Sequence, residues 1–166
     1  LVHTTRMPIR WGDMDAMGHV NNTRFFTFDE SARLDYFGEL MRSDAEFWKS
    51  RGLILARIEC DFIAQLRHPS TLKIGFRIAR MGRSSMSTIG GMFAGDKLVA
   101  VTRGVLVWFD YRAQKSLPIP DVVRAAIRRR EPLAPDDPRG AYLAEYLTIY
   151  RELANDAAAA LAAFDA

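Results

Sequence analysis

The sequence predicts an α+β fold: one long central helix wrapped by a curved five-stranded antiparallel sheet, with an extra helix at the C-terminal end. Three observations predict it. Between Thr23 and about Met41 the apolar residues Phe25, Phe28, Ala32 and Tyr36 recur at three- and four-residue steps, the period of a helix. Four runs rich in Ile, Val, Leu, Phe and Thr follow, parted by turn residues, and a fifth strand-like segment comes before. A helix with Phe26, Phe37, Leu40 and Met41 widening its apolar face must be covered, and one face of a curved sheet can cover it.

In chain order, residues 3–11 show partial alternation of β-branched and apolar residues, and Pro8 puts them at a sheet edge or a strand end. The loop from Trp11 to Asn22 follows. Gly18 lets it fold tightly, and Asn21 or Asn22 suits the helix N-cap, where a side-chain oxygen accepts an orphaned N–H. Ser43 and Glu46 form a capping box for a short helix that Gly52 ends. The strand-like runs are 53–66, 70–81, 84–94 and 97–110. Gly95-Asp96 is a tight hairpin turn, and Gly90-Gly91 marks a bulge or a close backbone approach. After Pro118 and Pro120 a helix over 121–130 ends in Arg128-Arg129-Arg130, read as a solvated basic end that favours the helix dipole. Residues 131–140, with Pro132, Pro135 and Pro138, make a stiff linker. The stripe Leu143, Tyr146, Leu147, Tyr150, Leu153 and Ala157 makes 141–166 an amphipathic helical extension.

A chain of 166 residues is long enough for one core and too short for two. Its net charge of +3 comes with no stripe of Lys and Arg interleaved with aromatics, so nucleic acid is not expected; an anionic ligand such as a nucleotide phosphate suits it better. The single cysteine, Cys60, excludes an internal disulfide and fits a reducing compartment; in its apolar run it reads as a buried, inert thiol. No leader segment is visible, and no apolar run approaches the roughly 20 residues a membrane span needs. A cytoplasmic protein is expected.

Asp15, Gly18, His19, Val20, Asn21 and Asn22, with the following Arg24-Phe25-Phe26, resemble the signature of hotdog-fold acyl-CoA thioesterases of the 4-hydroxybenzoyl-CoA thioesterase type. The nearer resemblance is to the long-chain acyl-CoA thioesterase branch, in which an Asp is followed four residues later by His-Val-Asn-Asn. The stretch Phe109-Asp110-Tyr111-Arg112-Ala113-Gln114-Lys115-Ser116-Leu117-Pro118 resembles the exit from that family's last strand. The resemblance spans residues 3 to about 130 and implies a hotdog thioesterase domain over 1–130. It further implies hydrolysis of a fatty or aromatic acyl-CoA to free acid and coenzyme A. No cofactor is implied beyond the coenzyme A of the substrate, and the expected assembly is a homodimer or homotetramer with active sites between subunits.

Thioester hydrolysis needs a carboxylate to activate water or attack the carbonyl, and donors for the developing oxyanion. Asp15 either does the first job or caps its loop; the resemblance matches Asp15, not Asp13, to the family's catalytic Asp. For the second job the unpaired N–H groups that open the long helix are available, and by the family's pattern the N–H of Asn22 polarises the carbonyl. His19 can orient the thioester, bond Asp15, serve as a second base, or fill a polar niche; some family members carry an apolar residue there. The three histidines have no metal-ligand spacing, so no metal is expected. Arg67 and His68, and Arg83 with Ser84 and Ser85, are candidates for the coenzyme A phosphates, the latter turn resembling a basic-plus-serine element of related enzymes. Phe25 and Phe26 are expected to line the acyl slot together with residues of a second subunit. Two other readings share these residues: a thioesterase acting on acyl carrier protein, and a non-catalytic acyl-CoA-binding hotdog domain.

Overall fold

A computed structural model describes residues 3–42 and 49–131, without the side chains of residues 39–41. The short helix expected from Ser43, the linker after Glu131 and the helical extension lie outside the described residues. The elements are β1 (His3–Pro8), a 3₁₀ turn (Trp11–Asp13), α1 (Asn22–Met41), β2 (Arg51–Phe62), β3 (Thr71–Met81), β4 (Ser85–Ala94), β5 (Lys97–Asp110), β6 (Lys115–Ser116) and α2 (Asp121–Arg130). This is the hotdog arrangement: a curved antiparallel sheet ordered β1-β3-β4-β5-β2, with two-residue β6 on β5, packed against α1.

Hairpins join β3, β4 and β5 in sequence, but β2 lies beyond β5 at the far edge. The four consecutive strand-like runs therefore form a three-strand meander plus one strand placed by a crossover. Apolar alternation shows that a run is a strand; it says nothing of which neighbour the strand chooses.

The core follows from α1. Phe25, Phe28, Ala32 and Tyr36 stack on one face as their spacing requires and meet Leu72, Ile74, Phe76 and Ile78 of β3, with Leu106 and Trp108 of β5 beyond. Val123 and Ile127 of α2 close the same core.

Several boundaries move for local reasons. β1 stops at Pro8 because the chain then turns, and the Asp13 carboxylate accepts the Arg10 N–H at 2.8 Å. Gly52 belongs to β2 rather than ending a helix; a Cβ there would lie 2.5 Å from the Tyr111 hydroxyl. β2 ends at Phe62, four residues early, as the Ile63 and Ala64 N–H groups both turn to the Val99 carbonyl, at 2.9 and 3.1 Å. Arg130 is not a solvated end: its guanidinium lies 4.9 Å from the Tyr36 ring centroid and donates to His3 Nδ1 at 2.9 Å, whereas Arg128 and Arg129 are exposed.

Gly95 turns the β4–β5 hairpin at a φ of +60°. Gly90 serves a close approach, since the register shifts of β4 fall opposite Ile78/Arg80 and at Met92/Phe93 instead. A Cβ at Gly90 would lie 2.4 Å from Thr102 Oγ1 and 3.2 Å from Asp29 Oδ1. The bare backbone makes room for buried Asp29 of α1, which accepts from Thr102 at 2.6 Å and pairs with Arg33 at 2.7 Å. Burial pushes the Asp29 carboxyl up, against the Thr102 bond and the Arg33 charge. Gly90→Ala is thus expected to destabilise the fold by about 1–3 kcal/mol through overpacking, read as an earlier urea midpoint at unchanged slope. A neutral result would show that the Thr102 hydroxyl can swing aside.

Candidate active site

The loop before α1 is built by its own backbone. Asp15 N–H donates to the His19 carbonyl at 2.8 Å and Gly18 N–H to the Asp15 carbonyl at 3.0 Å, with Gly18 at a φ of +77° that few other residues adopt. Met14 and Val20 form an antiparallel bridge across the loop's neck. From there the Val20 N–H reaches the Leu66 carbonyl and the Asn21 N–H the Asp13 carbonyl, at 2.8 and 2.9 Å. The loop is pinned at both sides of Asp15.

The two aspartates of the loop are sorted by this framework. Asp13 is buried; besides the Arg10 N–H, its carboxylate takes the Arg24 Nε at 3.3 Å. Asp15 is half-buried; its Oδ1 accepts the Met17 N–H at 2.9 Å, and among the described residues Oδ2 has no partner. One carboxylate holds the loop, and the other faces a cleft.

That cleft, about 340 Å³, is lined by Asp15, His19, Val20, Asn22, Phe25 and residues 62–66. Asn21 is the N-cap: its Oδ1 accepts from Thr23 N and Thr23 Oγ1 at 2.9 and 2.8 Å. Asn22 is thus the first helical residue, and its N–H has no intrahelical acceptor. Asp15 and the first residue of the helix, at its positive end, line one apolar-floored space. Such a pairing can deprotonate a water and stabilise an oxyanion.

His19 sits against Arg67. The Arg67 guanidinium donates to His19 Nε2 at 2.7 Å; since a guanidinium cannot accept, the ring's proton is on Nδ1. The nitrogen a general base would use is engaged. Exposed His68 lies beside Arg67 at the end of the cleft wall. Phe25 is in the cleft, edge-on to Phe62, whereas half-buried Phe26 is not among its lining residues.

Arg83, Ser84 and Ser85 are not brought to this cleft within one chain. Ser85 pairs with Val107, seven residues along β5 from Ala100, the partner of Phe62. At strand rise that separates the two sites by about 23 Å. The turn itself is firmly held: Arg124 donates to the Gly82 and Arg83 carbonyls, the latter at 3.0 Å.

Cys60 packs against the core, and burial pushes its thiol up to about 12, so it is no thiolate nucleophile. The wall at 62–66 is the part that sequence periodicity missed, because Phe62, Ile63, Ala64 and Leu66 read as more strand. The break was visible in Gln65 and in Arg67-His68-Pro69, which end the alternation.

The sequence profile of the thioesterase-like superfamily matches residues 9–127. Among solved structures, the PA2801 protein of Pseudomonas aeruginosa is 32% identical with a TM-score of 0.68, over 76% of this chain and 98% of that one. A thioesterase of Thermus thermophilus, solved with coenzyme A and zinc, is 29% identical with a TM-score of 0.65, over 75% of this chain and 96% of that one. Among the described residues, no three His, Cys, Asp or Glu side chains group to hold a metal. The uncharacterized protein YsmA of Bacillus subtilis (strain 168) is 27% identical over 82 residues, 49% of this chain. The match spans about half of that curated relative, 54% of its length.

Proposed function

Because the chain belongs to the thioesterase-like superfamily, we propose that it hydrolyses an acyl-CoA thioester to the free acid and coenzyme A, in the cleft between Asp15 and the start of α1. The observation that carries this reading is the shared cleft: Asp15 and Asn22, the first residue of α1, line one space, with an apolar floor of Val20, Phe25 and Leu66. Asp15 acts as general base on water, or as nucleophile, and the Asn22 N–H receives the thioester oxygen as charge develops on it. His19 and Arg67 form the polar rim. Arg67 lends a positive charge there that suits the phosphates of coenzyme A.

The active unit is a homodimer. β2 is an edge strand of 12 residues, its outer side unpaired among the described residues, and it exposes Leu55 and Phe62. Such an edge favours pairing with a second copy. Across a two-fold axis, the Arg83–Ser85 turn of one copy can then serve the cleft of the other, which a single chain does not allow.

Release of free thiol from a panel of acyl-CoA esters tests the reading; no release from any of them defeats it. The helix start makes a sharper expectation. Asn22→Ala keeps most of the turnover, because the working group is a backbone N–H. Asn21→Ala removes the cap, costs about 1 kcal/mol of stability, and lowers kcat by letting that N–H drift. The reverse order of effects would mean the Asn22 side chain, not its backbone, touches substrate.

A further inference from the structure

The cleft has a wall that can change and several that cannot. Its backbone side, residues 62–66, is clamped at one end by the Val99 carbonyl and at the other by the Leu66 carbonyl accepting Val20 N–H at 2.8 Å. Its floor, Val20, Phe25 and Leu66, belongs to the core, each no more than 6% exposed. Phe62 differs: within one chain it is 51% exposed, on the edge strand that a second copy would pair, and it packs edge-on against Phe25, centroids 5.3 Å apart and planes at 81°. At about 340 Å³ the cleft is near the low end of small-molecule sites, which run from roughly 300 to 1,000 Å³.

From this we infer that Phe62 is the specificity-determining residue of the cleft, its ring closing the acyl end so that compact acyl groups, a single aromatic ring or a short aliphatic chain, fit and long chains do not. The inference rests on the cleft being the acyl-thioester site. Two rings at right angles leave a face and an edge for a third, the offset geometry aromatic groups favour. Side chains alternate along β2, so the next one on the Phe62 side is that of half-buried Cys60. Removing the Phe62 ring opens the cleft along the strand toward Cys60, the direction a longer chain would take.

The test compares native protein, Phe62→Leu and Phe62→Ala with benzoyl-, hexanoyl- and palmitoyl-CoA as substrates. The S-benzyl and S-hexadecyl thioethers of coenzyme A serve as uncleavable ligands. Native protein is expected to favour benzoyl- and hexanoyl-CoA over palmitoyl-CoA by at least about 10-fold in kcat/KM, the discrimination a few methylenes give in a closed pocket. Phe62→Ala shifts that ratio toward palmitoyl by at least about 10-fold, and Phe62→Leu falls between. The ratio of thioether dissociation constants moves the same way. Native protein that prefers palmitoyl-CoA, or a ratio unmoved in both variants, overturns the inference. If no ester is cleaved but the thioether ratio still shifts, hydrolysis fails and the assignment of Phe62 stands. Circular dichroism and oligomer mass of each variant separate a lost wall from a lost fold, and Phe62→Leu decides should Phe62→Ala not fold.

Discussion

Asp15→Asn is expected to lower kcat on acyl-CoA at least about 100-fold, the low end for losing a general base, with the melting temperature unchanged. The amide is isosteric, and its oxygen can still accept the Met17 N–H that now meets Oδ1 at 2.9 Å. The turn therefore survives while the negative charge and basic lone pair are lost. Asp13→Asn is the matching control and should behave oppositely. Its carboxylate is buried and takes the Arg10 N–H and the Arg24 guanidinium, so weakening it costs stability and disturbs activity only through the loop. Steady-state thiol release and thermal melts on both variants separate the two roles. A fully active Asp15→Asn would remove Asp15 from the chemistry, and the hydrolytic centre with it.

What the sequence makes legible follows the range of the physics involved. Helical period and β-rich runs are local, so α1, β3, β4, β5 and α2 fall close to where periodicity puts them. The glycine signal at 90–91 is legible as a close approach, but its cause is a buried Asp29–Thr102 pair joining residues 73 apart. The place of β2 at the far edge is a long-range choice that no local pattern encodes. The site divides the same way. Asp15, His19 and Asn22 come together because one loop carries them all. Arg83–Ser85 does not join them because strand length sets it at the other end of the sheet. The engagement of His19 by Arg67 crosses 48 residues, and only coordinates reveal it.

The largest stability effect is expected at Glu131, a residue whose sequence position, between a basic run and a proline, gives no sign of burial. Its Oε1 accepts the Tyr36 hydroxyl at 2.7 Å and the Ile78 N–H at 2.8 Å, and Oε2 lies 3.6 Å from Arg77 Nε. One carboxylate thus ties the middle of α1, the edge of β3 and the end of α2 together where all three are buried. Burial and the Glu131 charge both push the Tyr36 phenol up, so it stays protonated and donating. Glu131→Ala leaves the buried Arg77 guanidinium without this carboxylate and strips two donors of their acceptor. Breaking one partner of a buried pair costs about 3–5 kcal/mol, which for a domain of this size lowers Tm by roughly 10 °C. Tyr36→Phe removes a single hydrogen bond and should cost about 1 kcal/mol. Glu131→Gln, which keeps an acceptor oxygen but not the charge, should lie between the two. The ranking is the discriminating result: if Glu131→Ala melts within a degree or two of Tyr36→Phe, the Arg77 charge is satisfied by other groups, and the junction of α2 with the sheet rests on Val123, Ile127 and the Arg124 and Arg130 contacts.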